Sequence, residues 1–154
     1  MISNICPKSL LASLVVLLVG GASSAVAQSA QRPQLDYNFF KTRVQPIFLK
    51  KRSPDHARCY ACHESTKHPE RMTLVSLSPG ATAWNEEQSR RNFEAVSKMV
   101  TPGNPDRSMF PWHPLAPEAG GDGQNIHAGG RQFEDKNDPD YKIIVEWING
   151  AKLN

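Results

Sequence analysis

Cys59-Tyr60-Ala61-Cys62-His63 is the stretch whose reading decides the fold. Two thiols three residues apart can each add to one vinyl group of a haem, and the adjacent histidine is placed to reach the iron from the same side. The motif therefore predicts one covalently attached haem c, with Cys59 and Cys62 as the attachment points and His63 as the proximal iron ligand. Two other uses of such a motif need weighing. A zinc site wants four ligands, and the only other cysteine, Cys6, lies in the N-terminal segment, so an all-cysteine ribbon is excluded. A site of two cysteines and two histidines stays arithmetically open through His56 or His68, but neither His63 with His68 nor His113 with His127 has finger-like placement. A redox CxxC would need a preceding strand and a βαβ surround, and the sequence offers neither.

Working outward, the N-terminus carries Lys8, an apolar run from Leu10 to Gly20 broken only by Ser13, and small residues ending in Ala25-Val26-Ala27. That is the three-part layout of a secretory signal, residues 1–27, with cleavage expected before Gln28. The apolar run is short for a membrane span, and retention as an anchor stays open. Cys6 precedes the run, so it is not a lipobox cysteine, which would follow it. Residues 28–154 are then expected to form one domain in the periplasm or an equivalent exported compartment, where haem c is attached. With both remaining cysteines committed there is no disulfide framework, and a buried haem would supply apolar mass that a small loop-rich chain otherwise lacks.

The formal net charge of +3 is modest, and haem propionates would bring it nearer zero, which argues against a nucleic-acid partner. A local basic run, Lys50-Lys51-Arg52 with Arg58, reads either as a solvated helix end or as a contact for propionates or an acidic partner.

The helical signals are regularly placed. Asp36 can cap a helix that buries Phe40, Val44, Ile47 and Phe48, with Pro46 expected to kink or break it. Asn85 and Gln88 form a capping-box pair ahead of a helix with Phe93, Val96 and Val100 on one face, stopped by Thr101-Pro102-Gly103. From Pro102 to Asn137 the chain is rich in Gly and Pro, with one helical turn expected from Ser108 to about Trp112. Asp138 caps the last helix, Pro139 starts it, and Gly150 closes it. Tyr141, Ile144, Val145 and Ile148 form its apolar stripe, which Ile143 and Trp147 widen.

In this order the elements resemble the class I cytochrome c fold, and more narrowly the small monohaem domains of exported bacterial proteins. The resemblance rests on Val44-Gln45-Pro46-Ile47-Phe48 before the motif, Pro102-Gly103-Asn104-Pro105 with Ser108 after the middle helix, and Tyr141 to Ala151 read as YxxIxxWIxGA. It spans residues 36–152 and is carried mainly by CxxCH, the other motifs being individually weak. It implies an all-α cytochrome c fold, with N- and C-terminal helices packed beside a covalent haem and a long Gly/Pro-rich distal loop.

Similar domains usually place a distal methionine shortly before the last helix, where this chain holds His127-Ala128-Gly129-Gly130-Arg131. His127 is therefore the first choice for the distal iron ligand, since the glycines permit close approach to the haem face. His113 is the second and Met109 the third. Met99 reads as core, Met72 as packing near the ring edge, and His56 and His68 as solvent-exposed. Trp84 and Trp112 are haem-lining or partner-surface candidates, whereas Trp147 reads as core. Glu118 and Asp122 read as turn residues. The expected function is electron transfer without catalysis, through six-coordinate bis-histidine haem. The protein would act as a free carrier or as a subunit of a membrane-bound respiratory or multihaem complex, with redox-protein donor and acceptor. The alternative is a gas sensor or haem enzyme with an open or labile distal site.

Overall fold

A computed structural model describes residues 32–64, 72–125 and 127–153. The signal reading and His68 lie outside these residues. The described residues are helical and belong to one compact unit, and their only β-type pairings are two isolated bridges, Glu64 with Leu74 and Leu115 with Phe133. No helix among them is long and apolar enough to cross a membrane.

The first helical segment starts at α1 (Tyr37–Phe39), where the Asp36 carboxylate accepts from the Phe39 N–H at 2.7 Å. It widens into a π-helical stretch, Phe40–Val44, and then tightens into a 3-10 stretch, Gln45–Leu49. Pro46 therefore changes the helix type without ending the helix. A proline lacks an N–H and crowds the preceding turn, and a change of hydrogen-bond register relieves both problems. The apolar face survives the change: Phe40, Val44, Ile47 and Phe48 are all buried.

A short helix, α2 (Cys59–His63), carries the motif. The middle helix, α3 (Glu86–Ser97), starts with the expected reciprocal capping box of Asn85 and Gln88. It ends at Ser97, before Thr101, because Met99 and Val100 turn away through bonds to the Val96 and Ser97 carbonyls. Its inner face combines Val96 with fully buried Ser89 and Asn92. Ser89 Oγ accepts from Gln45 Nε2 at 2.9 Å, and the Asn92 side chain accepts from the Val75 N–H at 2.7 Å.

The Gly/Pro-rich region holds more structure than the one expected turn. Besides α4 (Met109–Trp112) there are 3-10 turns at Pro105–Arg107 and Pro117–Ala119. The last helix, α5 (Pro139–Ile148), is capped by Asp138, whose carboxylate accepts from the Asp140 and Tyr141 N–H groups. Trp147 is the centre of its buried stripe and Val145 its margin.

The first and last helical segments pack against one another. The Phe40 and Trp147 rings lie 5.3 Å apart, and the Trp147 indole donates to the Asp36 carbonyl at 3.0 Å. Each fully buried aliphatic or phenylalanine side chain here, such as Phe40, Phe48, Ile144 and Ile148, contributes about 1.5–3 kcal/mol of burial free energy. Lys50 and Arg52 lie against the cap of α5. Lys50 pairs with Asp140 at 2.8 Å, and Arg52 pairs with Asp138 and, at 2.6 Å, with Asp140. The Arg52 guanidinium also sits 4.8 Å from the Phe133 ring centre. These two cations are thus engaged within the fold, binding the segment before the motif to the start of the last helix.

Candidate functional site

One helical turn puts Cys59, Cys62 and His63 on a common face of α2, since residues three and four apart lie above one another. All three line a cavity of about 480 Å³, within the usual size range of cofactor pockets. Behind them, Tyr60 fixes the turn: its hydroxyl donates to Glu64 at 2.9 Å and accepts from the Leu77 N–H at 2.9 Å, while its ring meets Trp84 edge-on. The chain then returns beside α2, with the Leu74 N–H donating to the His63 carbonyl. The His63 Nδ1–H donates to the Met72 carbonyl at 2.7 Å. That bond sets the neutral ring as the Nδ1–H tautomer, so the lone pair is on Nε2.

The facing wall comes from the irregular region. Ser108 braces its start, accepting from the Thr101 N–H and donating to the Asn104 carbonyl. The Phe110 N–H donates to the Met99 carbonyl, and residues 114–116 are laced to Gln132 and Phe133 by three backbone bonds. This framework holds His113 and His127, which both line the cavity. His127 Nδ1–H donates to the Gly130 carbonyl at 2.7 Å, the same kind of bond that His63 makes. Gly130 has φ +82°, and a Cβ there would come within 2.9 Å of the His56 ring, so the turn needs glycine for both conformation and space. His56, expected on the surface, is half-buried by this contact and bonded through Nδ1 to Ser53 Oγ.

The His63 and His127 rings have centroids 6.2 Å apart and planes only 20° apart. The His113 ring meets His127 edge-on, 5.2 Å between centroids. His113 Nδ1 is bonded to Asp122 Oδ2 at 3.0 Å. The Asp122 carboxylate is almost fully buried, and burial works against its charge. Hydrogen bonds from the Asn125 amide, the Gln124 and Asn125 backbone N–H groups and His113 outweigh that effect and hold the carboxyl at about 2. On α2, burial pushes the Cys59 thiol up to about 11, so it is protonated at neutral pH.

Phe48, Phe110 and Phe133 supply apolar surface to the cavity, along with Met72, Met99 and Met109. Met99 packs against the core, as the sequence reading expects, and also lines the cavity, because the chain turns just after α3. Met109 also lines it and is 47% exposed. Trp84 and Trp112 are not among the lining residues: Trp84 is core, its indole donating to the Val75 carbonyl, and the Trp112 indole donates to the Gly120 carbonyl. Glu118 is the expected exposed turn residue, paired with Arg131, but Asp122 is the buried partner of His113. Its Asx-turn position before Gln124 and Asn125 was the available sequence signal. Among the described residues, no three His, Cys, Asp or Glu side chains converge closely enough to hold a bare metal ion.

The chain matches no family model, no curated protein and no solved structure.

Proposed function

We propose that this chain is an exported c-type cytochrome that passes single electrons between a redox-protein donor and acceptor through one covalent haem, alone or within a larger complex. The observation that carries this reading is the near-parallel pair of imidazoles, 6.2 Å apart across a cavity lined by both motif thiols. A metal–nitrogen bond of about 2 Å plus about 1.1 Å from nitrogen to ring centre, counted on both sides, puts two ligands on one ion at ~6.3 Å. Among the described residues, no group of three His, Cys, Asp or Glu side chains is placed to hold a bare metal ion there. This donor set would suit haem, whose iron His63 and His127 would hold.

Bound there, haem supplies an iron that alternates between ferric and ferrous. Cys59 and Cys62, both of which line the cavity, would tether the group. His63 and His127 are each oriented by a backbone carbonyl, which strengthens them as donors. Two imidazoles favour the ferric state relative to a histidine–methionine pair and so give a lower potential. Phe48, Phe110, Phe133 and the methionines exclude water, while exposed Met109 marks where the cavity approaches solvent and a partner. Electron transfer demands no substrate pocket beyond this.

The test is an optical spectrum of the matured protein, oxidised and reduced, with carbon monoxide added to the reduced form. The expected result is a low-spin spectrum unmoved by carbon monoxide and without the near-infrared methionine-to-iron band. That band would substitute Met109 for His127, and rapid carbon monoxide binding would favour the sensor or enzyme reading.

A further inference from the structure

The cavity wall opposite α2 carries two imidazoles, and the haem reading uses only one of them. His113 lines the same cavity as His127, and the two rings meet with centroids 5.2 Å and planes 78° apart. His113 is held at both its backbone and its side chain. Its N–H donates to the Met109 carbonyl at 2.9 Å, and the next carbonyl, that of Pro114, accepts from the Gln132 and Phe133 N–H groups. Its Nδ1 is bonded to Asp122 Oδ2 at 3.0 Å. The Asp122 side chain is 2% exposed and accepts as well from the Gln124 and Asn125 N–H groups and from the Asn125 amide. A buried carboxylate whose lone pairs are so fully used is a rigid support, and it holds the plane of the His113 ring.

Two contacts therefore act on the His127 ring, and they constrain different things. The Nδ1 bond to the Gly130 carbonyl, at 2.7 Å, fixes the tautomer and the direction of Nε2. A carbonyl oxygen accepts over a broad range of directions, so this bond leaves the ring some freedom to turn about the axis that Nε2 would make with a metal. A second ring standing nearly perpendicular at contact distance opposes that rotation. Between them the His127 plane is kept within 20° of the His63 plane.

We propose that His113, fixed by Asp122, is a positioning residue whose ring sets the plane of His127 and so keeps the two axial imidazoles near parallel. The inference rests on the haem reading above and deepens it. Ring planes matter because an imidazole offers its π electrons in one direction only, perpendicular to its own plane. Two parallel rings act on the same iron orbital and separate its energy from that of its neighbour, whereas crossed rings leave the two nearly equal. Asp122 and His113 thereby select the orbital that the transferred electron enters and leaves, without touching the iron.

The experiment compares full-length, matured wild type with His113→Ala, His113→Phe and Asp122→Ala. Each is read by low-temperature electron paramagnetic resonance of the oxidised protein. Optical spectra, with carbon monoxide added to the reduced form, check that both axial ligands stay bound. The expected result is low-spin iron unmoved by carbon monoxide in all four proteins, with the rhombic signal of parallel imidazoles in wild type. His113→Phe, which keeps a ring but has no nitrogen for a metal, is expected to retain that signal. His113→Ala is expected to shift it towards the strongly anisotropic signal of crossed imidazoles, and Asp122→Ala to shift it less in the same direction. A merely structural role for either residue would leave the signal of the folded, low-spin protein unmoved. An unchanged signal in His113→Ala or Asp122→Ala overturns the proposal, as does a His113→Phe protein that behaves like His113→Ala. High-spin iron in His113→Ala also overturns it, because His113 would then be the ligand itself. Failure of the underlying reading looks different: wild type itself would carry no covalent haem, or would show a methionine-to-iron band.

Discussion

The two walls of the cavity are built by different means. On the α2 wall, one helical turn gathers Cys59, Cys62 and His63, and the bond that orients His63 comes from Met72, nine residues on. The facing wall gathers Met99, Met109, His113, His127 and Phe133 from a stretch with little repeating structure, held by Ser108, Asp122 and the bonds between residues 114–116 and 132–133. A short-range wall depends on a few irreplaceable side chains. A long-range wall distributes its task, so single losses there are more easily absorbed.

That contrast can be broken by experiment. The largest effect is expected from the joint change Cys59→Ala and Cys62→Ala, which removes every thiol lining the cavity. Haem staining of the denatured protein should fall to background, and a retained signal would sink the attachment reading. Next is His63→Ala. No other histidine among the described residues of the α2 wall lines the cavity, so iron is expected to become high-spin and bind carbon monoxide. Third, Arg52→Ala should cost about 3 kcal/mol in a urea titration, because it leaves Asp138 and Asp140 without a guanidinium at a site only 14% exposed on the arginine side. Asp36→Ala, which removes one cap bond, should cost about 1 kcal/mol in the same assay. Smallest is the acid limb of stability. Asp122 is held at about 2 against an ordinary 3.8, so its contribution is complete above about pH 4 and is lost as pH falls through about 2. Asp122→Asn should flatten that part of the profile of midpoint against pH.

The same contrast explains what the sequence disclosed. Helix caps at Asp36, Asn85 and Asp138 are legible because each acts on N–H groups two or three residues away. The α2 face is legible because its period is that of a helix. The packing of the first helical segment on α5 follows from two apolar stripes that have to be covered. Long-range pairings leave no such local trace. Nothing near Asp122 says that His113 will be its partner, and nothing near Lys50 or Arg52 says that they will be drawn onto carboxylates some ninety residues later. Met99 packs against the core as its helical phase predicts, but the helix ends at Ser97, so it also reaches the cavity. The proline rule, which predicts a kink or break at Pro46, assumes a regular α-helix, whereas this segment changes its turn width.

The close approach of the beginning and end of the described fold has one more consequence. Pro33 is so near Gly103 and Gly150 that a Cβ on either glycine would collide with it, and the Gly103 N–H donates to the Ile148 carbonyl. With the Trp147 indole on the Asp36 carbonyl, this makes the backbone nearly a closed ring. Such a ring can be reconnected: a short linker from Leu153 to Arg32 should permit a circular permutant opened at an exposed turn, such as the one around Gly80.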